Sequence, residues 1–471
     1  MLFPTVEYAL FFVGAFAGAW ALARRNDAHK LFLLVASWGF YAFWDWRFLP
    51  VLVGLSLEAA LVAIALEQPG SEVRRRSLLG LGVGAVLLTL ALFKYLGFAA
   101  SVGLAALEGL GLSFSSPRLP EVALPVGISF FSFHAISLMV DAWRRRIPVR
   151  VRTLDALLYV AFFPQLVAGP ILRASTFLPL LARPRNPSNI DLPLALQRIG
   201  LGLFKKAVLA QLLASALVDP VFDAPSEHSS LEVLLAVYGY AAQIFCDFSG
   251  YTDMALGSAA LLGYAMPENF DAPYAAKSPQ DFWRRWHISL SSWLRDYLFI
   301  PLGGSKGGPA RTAAALGLTM VLGGLWHGAA WTFVAWGALH GAGLIIHRAW
   351  ASWRPVKSLR RSASWGVAAQ VLTFHFVCAG WVLFRAPSLG SASELFTALV
   401  HGRSGPAPTW VAGIVLVALL VSLIPGDGLA AARERFSRLP LVAQGAAFGL
   451  LVVALDAIGP RGIAPFIYFQ F

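Results

Sequence analysis

Four stretches of this chain contain no Asp, Glu, Lys or Arg: Val122–Val140, Thr312–His347, Ser362–Phe384 and Ser404–Gly426. A helix that crosses the hydrocarbon core of a bilayer needs about 20 mostly apolar residues, and several of these runs reach that length. A helix lying on a soluble core would show polar residues at helical spacing, and these runs do not. Only 13% of the 471 residues are charged and 58% are hydrophobic, where a soluble domain carries about 25% charged residues. The expected fold is therefore all-α, a polytopic transmembrane bundle of roughly eleven to thirteen apolar segments. Some segments are too short to span alone and read as half-helices or re-entrant pieces, which need protein or water around them. Phe163-Pro164-Gln165 to Gly169-Pro170 is such a piece, because its prolines and glycine break a regular helix.

The formal net charge of +12 sits in short connectors: Arg24, Arg25 and Lys30; Arg74 to Arg76; Arg144 to Arg146; Arg183 and Arg185. Lys and Arg in short loops mark the cytoplasmic face, where anionic lipid headgroups are their partners; nucleic acid is not expected. Cys246 and Cys378 lie in apolar runs and read as small hydrophobes. Without a CxxC pair no structural zinc site is expected, and no metal is assigned. Met1–Ala23 is apolar from its first residues and lacks the basic start of a signal peptide, so it reads as a retained helix. With no internal repeat and no long polar insertion, residues 1–471 read as a single membrane domain.

Three polar constellations interrupt the apolar sequence. The segment Asp281–Gly304 mixes Trp283, Trp286 and Trp293 with Arg284, Arg285 and Arg295. It reads either as an interfacial helix with its rings at headgroup depth or as an anion site. In the second reading Arg284, Arg285 and Lys306, the last in a glycine-rich loop, bind the phosphates of a nucleotide-like donor; the spacing of a P-loop is absent. The second constellation places His327 and His340 inside a charge-free run long enough to cross a bilayer more than once. Ionisable groups at membrane depth are expensive and point to function, although a lone buried histidine is often only a satisfied hydrogen-bonder. On one unbroken helix the two would face nearly opposite ways. Gly323, Gly324 and Gly328 around His327 allow close approach of a neighbouring helix or a substrate. The third, Cys246-Asp247 to Asp253, puts two carboxylates in an apolar stretch, where each needs a cation or a histidine to orient. His134 and His375 read as core hydrogen-bonders, and His29, His228 and His401 fall in connectors without signal.

Taken together, Leu124-Pro-Val-Gly-Ile-Ser-Phe-Phe-Ser-Phe133, Phe163-Pro-Gln to Arg173, Asp247-Phe-Ser-Gly-Tyr-Thr-Asp-Met-Ala255, Asp281–Gly304 and Trp326-His-Gly-Ala-Ala-Trp331 resemble the bacterial membrane-bound O-acyltransferase family. Tyr41-Ala-Phe-Trp-Asp-Trp-Arg47 and Gly380-Trp-Val-Leu-Phe-Arg-Ala-Pro387 resemble its alginate O-acetylation branch. One departure is His134, where the family pattern has a polar residue other than histidine. The resemblance implies a funnel-shaped helical fold around a buried tunnel. His327 is its catalytic residue, and His287, in the other signature, lies near the same tunnel. The implied donor is an acyl thioester, acetyl-CoA for this branch, with no permanently bound cofactor. The implied acceptor is an exported polysaccharide, reached directly or through an extracytoplasmic acyltransferase partner. A hydroxyl attacks poorly until a base takes its proton, and an imidazole suits that task; His327 is given this role, with His287 orienting the donor or stabilising the oxyanion. The C-terminal Pro465-Phe-Ile-Tyr468-Phe-Gln-Phe471 reads as an aromatic interface anchor, or, by the same resemblance, as a tail whose Tyr468 carries the acyl group.

The expected protein is thus a multi-pass enzyme of the bacterial inner membrane that moves acetyl from acetyl-CoA toward an alginate-like polymer. Peptidoglycan, teichoic acid or a small molecule, with another acyl donor, is the alternative within the same chemistry. A transporter or polymer exporter is the alternative outside it, although paired halves with matched broken helices are not visible.

Overall fold

The computed structural model describes residues 1–112, 123–166, 169–353, 362–425 and 428–458. Among them the regular structure is helical, with one isolated bridge between Ser229 and Arg403 and no strand. Six helical segments are long and apolar enough to cross a membrane: Asn26–Glu67, Glu72–Gly109, Leu192–Asp223, Ser230–Leu261, Ser364–Arg385 and Leu441–Ile458. Val6–Ala21, Ile128–Trp143 and Thr409–Ser422 are apolar but shorter, as expected of the pieces too short to span alone. The chain packs as two compact units. The first holds Val6–Ile190 and Leu262–Tyr264, and the second Leu2–Thr5, Asp191–Leu261 and Ala265–Phe471.

In the first unit α1 (Val6–Ala21), α2 (Asn26–Asp45), α3 (Leu49–Glu67), α4 (Glu72–Leu90), α5 (Leu96–Gly109), α6 (Ile128–Trp143), α7 (Thr153–Ala161) and α8 (Ala174–Leu181) follow one another. α6 packs on α3 and α4, and α7 packs on α2 and α3. Between α7 and α8 the described residues are irregular apart from one helical turn at Phe163–Leu166. Buried backbone of this kind must find partners. Tyr159 donates to the Leu172 carbonyl at 2.8 Å, the Leu172 N–H donates to His134 Nε2 at 3.3 Å, and Gln165 donates to the Tyr159 carbonyl. His134 is therefore the core hydrogen-bonder expected of it, and it supports the broken segment.

Several basic residues of the connectors turn inward instead of meeting lipid. Lys30 is buried in α2, 2.6 Å from Asp155 and 3.1 Å from Asp27. Arg75 donates to the Trp143 carbonyl at 2.6 Å. His29, read as a connector residue without signal, lies inside α2 and is buried; Nδ1 sits 2.8 Å from the Ala19 carbonyl and Nε2 3.2 Å from the Tyr264 hydroxyl. The charge pattern misled because the helix begins at Asn26, so the bases of its first turns belong to the element.

The second unit holds α9 (Leu192–Leu203), α10 (Ser230–Leu261), α11 (Pro279–Arg285), α12 (Ile288–Trp293), α13 (Gly308–His327), α14 (Trp331–Ser352), α15 (Ala363–Arg385), α16 (Leu389–His401), α17 (Thr409–Ser422), α18 (Ala430–Ser437) and α19 (Leu441–Ile458). The α9 segment continues in π-helical turns to Val218. α9 and α10 touch through glycine: a Cβ on Gly202 would stand 2.6 Å from the Gly250 carbonyl oxygen. Small residues at a crossing let two backbones close up, and here that contact carries a Lys205-Lys206 pair onto the acidic face of α10. The charge-free run Thr312–His347 folds as the hairpin α13–α14.

Replacing Lys30 by Met leaves Asp155 buried without its cation and is expected to cost about 3–5 kcal/mol, read as a lower melting temperature of the detergent-purified protein. Adding Asp155→Leu should restore most of it. Equal melting of wild type and Lys30→Met would show that the pair does not stabilise the fold.

Candidate active site

The site is built on the α13–α14 hairpin. The backbone of α13 meets α14 so closely at Gly324 that an added Cβ would strike the Phe333 carbonyl, and one on Gly337 would stand 2.9 Å from the Val321 Cα. Neither position has room for a larger residue. His327 is the last residue of α13, and the chain is extended at Gly328 and Ala330 before α14 begins. The break answers the problem of opposite faces. His327 and His340 belong to different helices, and both rings approach Trp336, with centroids at 5.1 and 4.8 Å. His340, which helical spacing alone placed away from the site, joins the same aromatic cluster. Its ring lies 5.2 Å from Trp283 and 5.3 Å from Phe376, and neither of its nitrogens has a hydrogen-bond partner among the described residues.

His327 is enclosed by Trp326 at 4.8 Å, Trp336 at 5.1 Å and Phe384 at 5.1 Å. His287 also neighbours Trp326, with ring centroids 6.3 Å apart, and packs edge-on against Phe248 at 4.7 Å. It is fully buried between α11 and α12, with φ of 42° and ψ of 55°. A residue with a side chain is held in this left-handed region only when its surroundings impose it. Asn269 is the main constraint: its Oδ1 lies 3.2 Å from His287 Nδ1, 3.1 Å from the Ser289 amide nitrogen and 2.8 Å from Ser289 Oγ. Burial pushes the His287 imidazole down to about 3, because the charged ring would lose its water. His287 is thus a neutral ring at physiological pH.

The tryptophans of Asp281–Gly304 are not headgroup anchors. Trp283, Trp286 and Trp293 are buried, and Trp286 stacks on Phe282 and meets Trp381 at 4.9 Å. The two arginines between them diverge. Arg285 is held by Asp281 at 3.0 Å, by Asp271 at 3.6 Å and by the Asp271 carbonyl at 3.2 Å. Arg284 instead lines an open cavity with Lys277, Gln280, Asp281, His347 and Gln370. Lys306 is not among the residues of that cavity; its loop lies beside Arg311 and Arg348. Tyr468 lies outside the described residues.

Asp247 and Asp253 serve the ion-pair alternative. Asp247 is bound by Lys206, and Asp253 by Lys205 and by Arg198 at 2.8 Å; Arg198 also holds Glu268. These partners, and Asn269, were not singled out from the sequence. Two adjacent lysines within an apolar segment were a usable signal, whereas a lone asparagine in a connector was not. A second cavity is lined by Arg198, Lys205, Asp253, Glu268, Asn269 and Arg433. Among the described residues no cluster of His, Cys, Asp and Glu is arranged to hold a metal.

Residues 126–384 match the family model described as MBOAT, membrane-bound O-acyltransferase family. The chain is 38% identical over 403 residues to a probable alginate O-acetylase AlgI of Pseudomonas syringae pv. tomato, covering 85% of this chain and 75% of that one. It is 36% identical over 409 residues to a peptidoglycan O-acetyltransferase of Helicobacter pylori, covering 81% and 75%. It is 30% identical over 285 residues to a teichoic acid D-alanyltransferase of Bacillus subtilis, covering 58% and 72%.

The neutral state of His287 has a direct check. In histidine-labelled protein its ring ¹⁵N shifts should stay constant as pH falls from about 8 to about 5, because protonation sets in only as pH nears the depressed value. A titration centred near the ordinary histidine value of about 6.5 would overturn it.

Proposed function

We propose, on the premise that the chain belongs to the membrane-bound O-acyltransferase family and is a multi-pass membrane O-acyltransferase, that it moves acetyl from cytoplasmic acetyl-CoA toward hydroxyls of an exported, alginate-like polysaccharide. The observation that carries the reading is the enclosure of His327 by Trp326, Trp336 and Phe384 at the end of α13, with His287 against the same Trp326. In this reading His327 takes the proton of the acceptor hydroxyl as the oxygen attacks the thioester carbonyl. The C–O bond forms, the C–S bond breaks, and the departing sulfur recovers the proton from His327. The products are the acetyl ester and free CoA thiol. Three aromatic walls keep water, the competing nucleophile, from the same carbonyl.

The phosphates of the donor fall to Arg284 and Lys277 in their open cavity, because guanidinium groups bind phosphate through paired charged hydrogen bonds. Lys306 is a further cation for them, whereas Arg285 is committed to Asp281 and Asp271. The donor is a substrate, and no permanently bound cofactor takes part. Residues 1–471 serve as one catalytic domain in the bacterial inner membrane, with the basic connectors toward the cytoplasm. An extracytoplasmic acyltransferase partner completes delivery, and Tyr468 carries the acetyl group between them as a phenolic ester. Peptidoglycan is the second reading for the acceptor, since the Helicobacter relative named for it is 36% identical.

The purified protein, supplied with labelled acetyl-CoA and its genomic neighbours, should transfer label to polymer, and His327→Ala should lower turnover by about 10²–10⁴-fold. Arg284→Gln should instead raise KM for acetyl-CoA about tenfold, equivalent to about 1.4 kcal/mol, with kcat kept. Equal labelling by wild type and His327→Ala would make His327 structural. Tyr468→Phe should abolish label on the protein's C-terminal peptide and on the polymer, and normal polymer acetylation by this variant would remove the relay.

A further inference from the structure

The hydrogen bonds around Asn269 decide which nitrogen of His287 carries the proton. A backbone N–H can only donate, and that of Ser289 points at Asn269 from 3.1 Å. The atom facing it is therefore the amide oxygen, and the opposite placement of the side-chain amide would set two donors against each other. The same oxygen receives the Ser289 hydroxyl at 2.8 Å and faces His287 Nδ1 at 3.2 Å. If Nδ1 carried a lone pair it would confront the lone pairs of Oδ1. The one hydrogen able to relieve it, on Ser289 Oγ at 3.4 Å, is already drawn to the shorter bond with Asn269. With the proton on Nδ1 all three contacts become hydrogen bonds to one acceptor. The backbone closes the arrangement, because the Ile288 N–H donates to the Asn269 carbonyl at 3.0 Å, and Asn269 is fully buried.

A ring protonated on Nδ1 presents a lone pair at Nε2. His287 Nε2 is buried and has no hydrogen-bond partner among the described residues. A lone pair accepts and does not donate, so His287 in this state cannot stabilise an oxyanion through Nε2. The acceptor hydroxyl has a single proton, already assigned to His327. None of the protein's described N–H groups, the neighbouring Trp326 indole included, bonds to Nε2, and the N–H groups that the donor itself brings are the amides of its pantetheine arm, the nearest of which follows the two methylenes after sulfur. We propose that Asn269 is a positioning residue that fixes His287 as the tautomer protonated on Nδ1, so that Nε2 accepts a hydrogen bond from the pantetheine amide N–H of the acyl donor. The second half rests on the acyl-transfer reading above, and the first half does not. The low proton affinity of the buried ring agrees with a group that accepts a hydrogen bond without taking the proton.

Two measurements test the proposal separately. The first is ¹⁵N spectroscopy of histidine-labelled protein in detergent, with His287→Phe to assign the signal. Wild type should show His287 protonated at Nδ1, Asn269→Asp should keep that state because a carboxylate also accepts, and Asn269→Leu should lose it. A wild-type ring protonated at Nε2, or an unchanged ring in Asn269→Leu, would overturn the positioning role. The second compares kcat/KM for the acetyl thioester of N-acetylcysteamine with that for its N-methyl amide analogue, which lacks the N–H. Wild type and Asn269→Asp should prefer the N–H substrate about tenfold, the scale of one buried hydrogen bond left unmade. His287→Phe and Asn269→Leu should discriminate by less than about twofold. Equal use of both thioesters by wild type would overturn the role of Nε2. If folded wild type transfers acetyl from neither these thioesters nor acetyl-CoA, the acyl-transfer reading and the amide contact fail together, while the spectra still decide the tautomer.

Discussion

The contact between Gly324 and the Phe333 carbonyl holds the rest of the site in register. Because a Cβ has no room there, the two helices of the hairpin lie backbone to backbone, and short side-chain reach brings His327 and Trp336 together. His327 and His340 are thereby carried on helices, which hold geometry more tightly than loops. The aromatic cluster fills what remains. Trp336 meets both His327 and His340, Trp326 meets both His327 and His287, and Trp381 meets both Trp286 and Trp336.

The helical membrane class was legible because apolar run length is a direct reading of the solvent. His327 and His287, whose rings meet the same Trp326, were singled out for different reasons: one is an ionisable group in a charge-free run, and the other stands in a motif of recognisable order. What the sequence hid was three-dimensional. His340 looked misplaced because the extended residues at Gly328 and Ala330 carry no proline to announce the break. The tryptophans of Asp281–Gly304 looked interfacial because composition cannot say whether a ring faces lipid or protein. Asn269 had no periodicity, charge or motif to mark it, yet its one side-chain oxygen meets His287 Nδ1 and both the amide and the hydroxyl of Ser289. Arg284 and Arg285 are adjacent and alike in sequence, and only the position of Asp281 and Asp271 separates their roles.

Three buried lysines of the apolar segments are held in the way a low-dielectric solvent demands. An ammonium or carboxylate removed from water carries a penalty of several kcal/mol, and Lys30, Lys205 and Lys206 each stand against a carboxylate. The same rule leaves the buried imidazole of His287 uncharged.

The two lysines of the Leu192–Asp223 segment and the two aspartates of Ser230–Leu261 bear on how the protein is made. Their 18-residue apolar stretches have mean hydropathies of 1.6 and 1.4, the lowest among the six segments long and apolar enough to span. A single lysine or aspartate at the centre of a helix opposes insertion from the translocon by about 2.5–3.5 kcal/mol, and each segment carries two such groups. Only a short connector separates them, and each brings the counter-charge that the other lacks. During synthesis the pair, and not either helix alone, is therefore the smallest piece of this chain that a bilayer accepts at low cost.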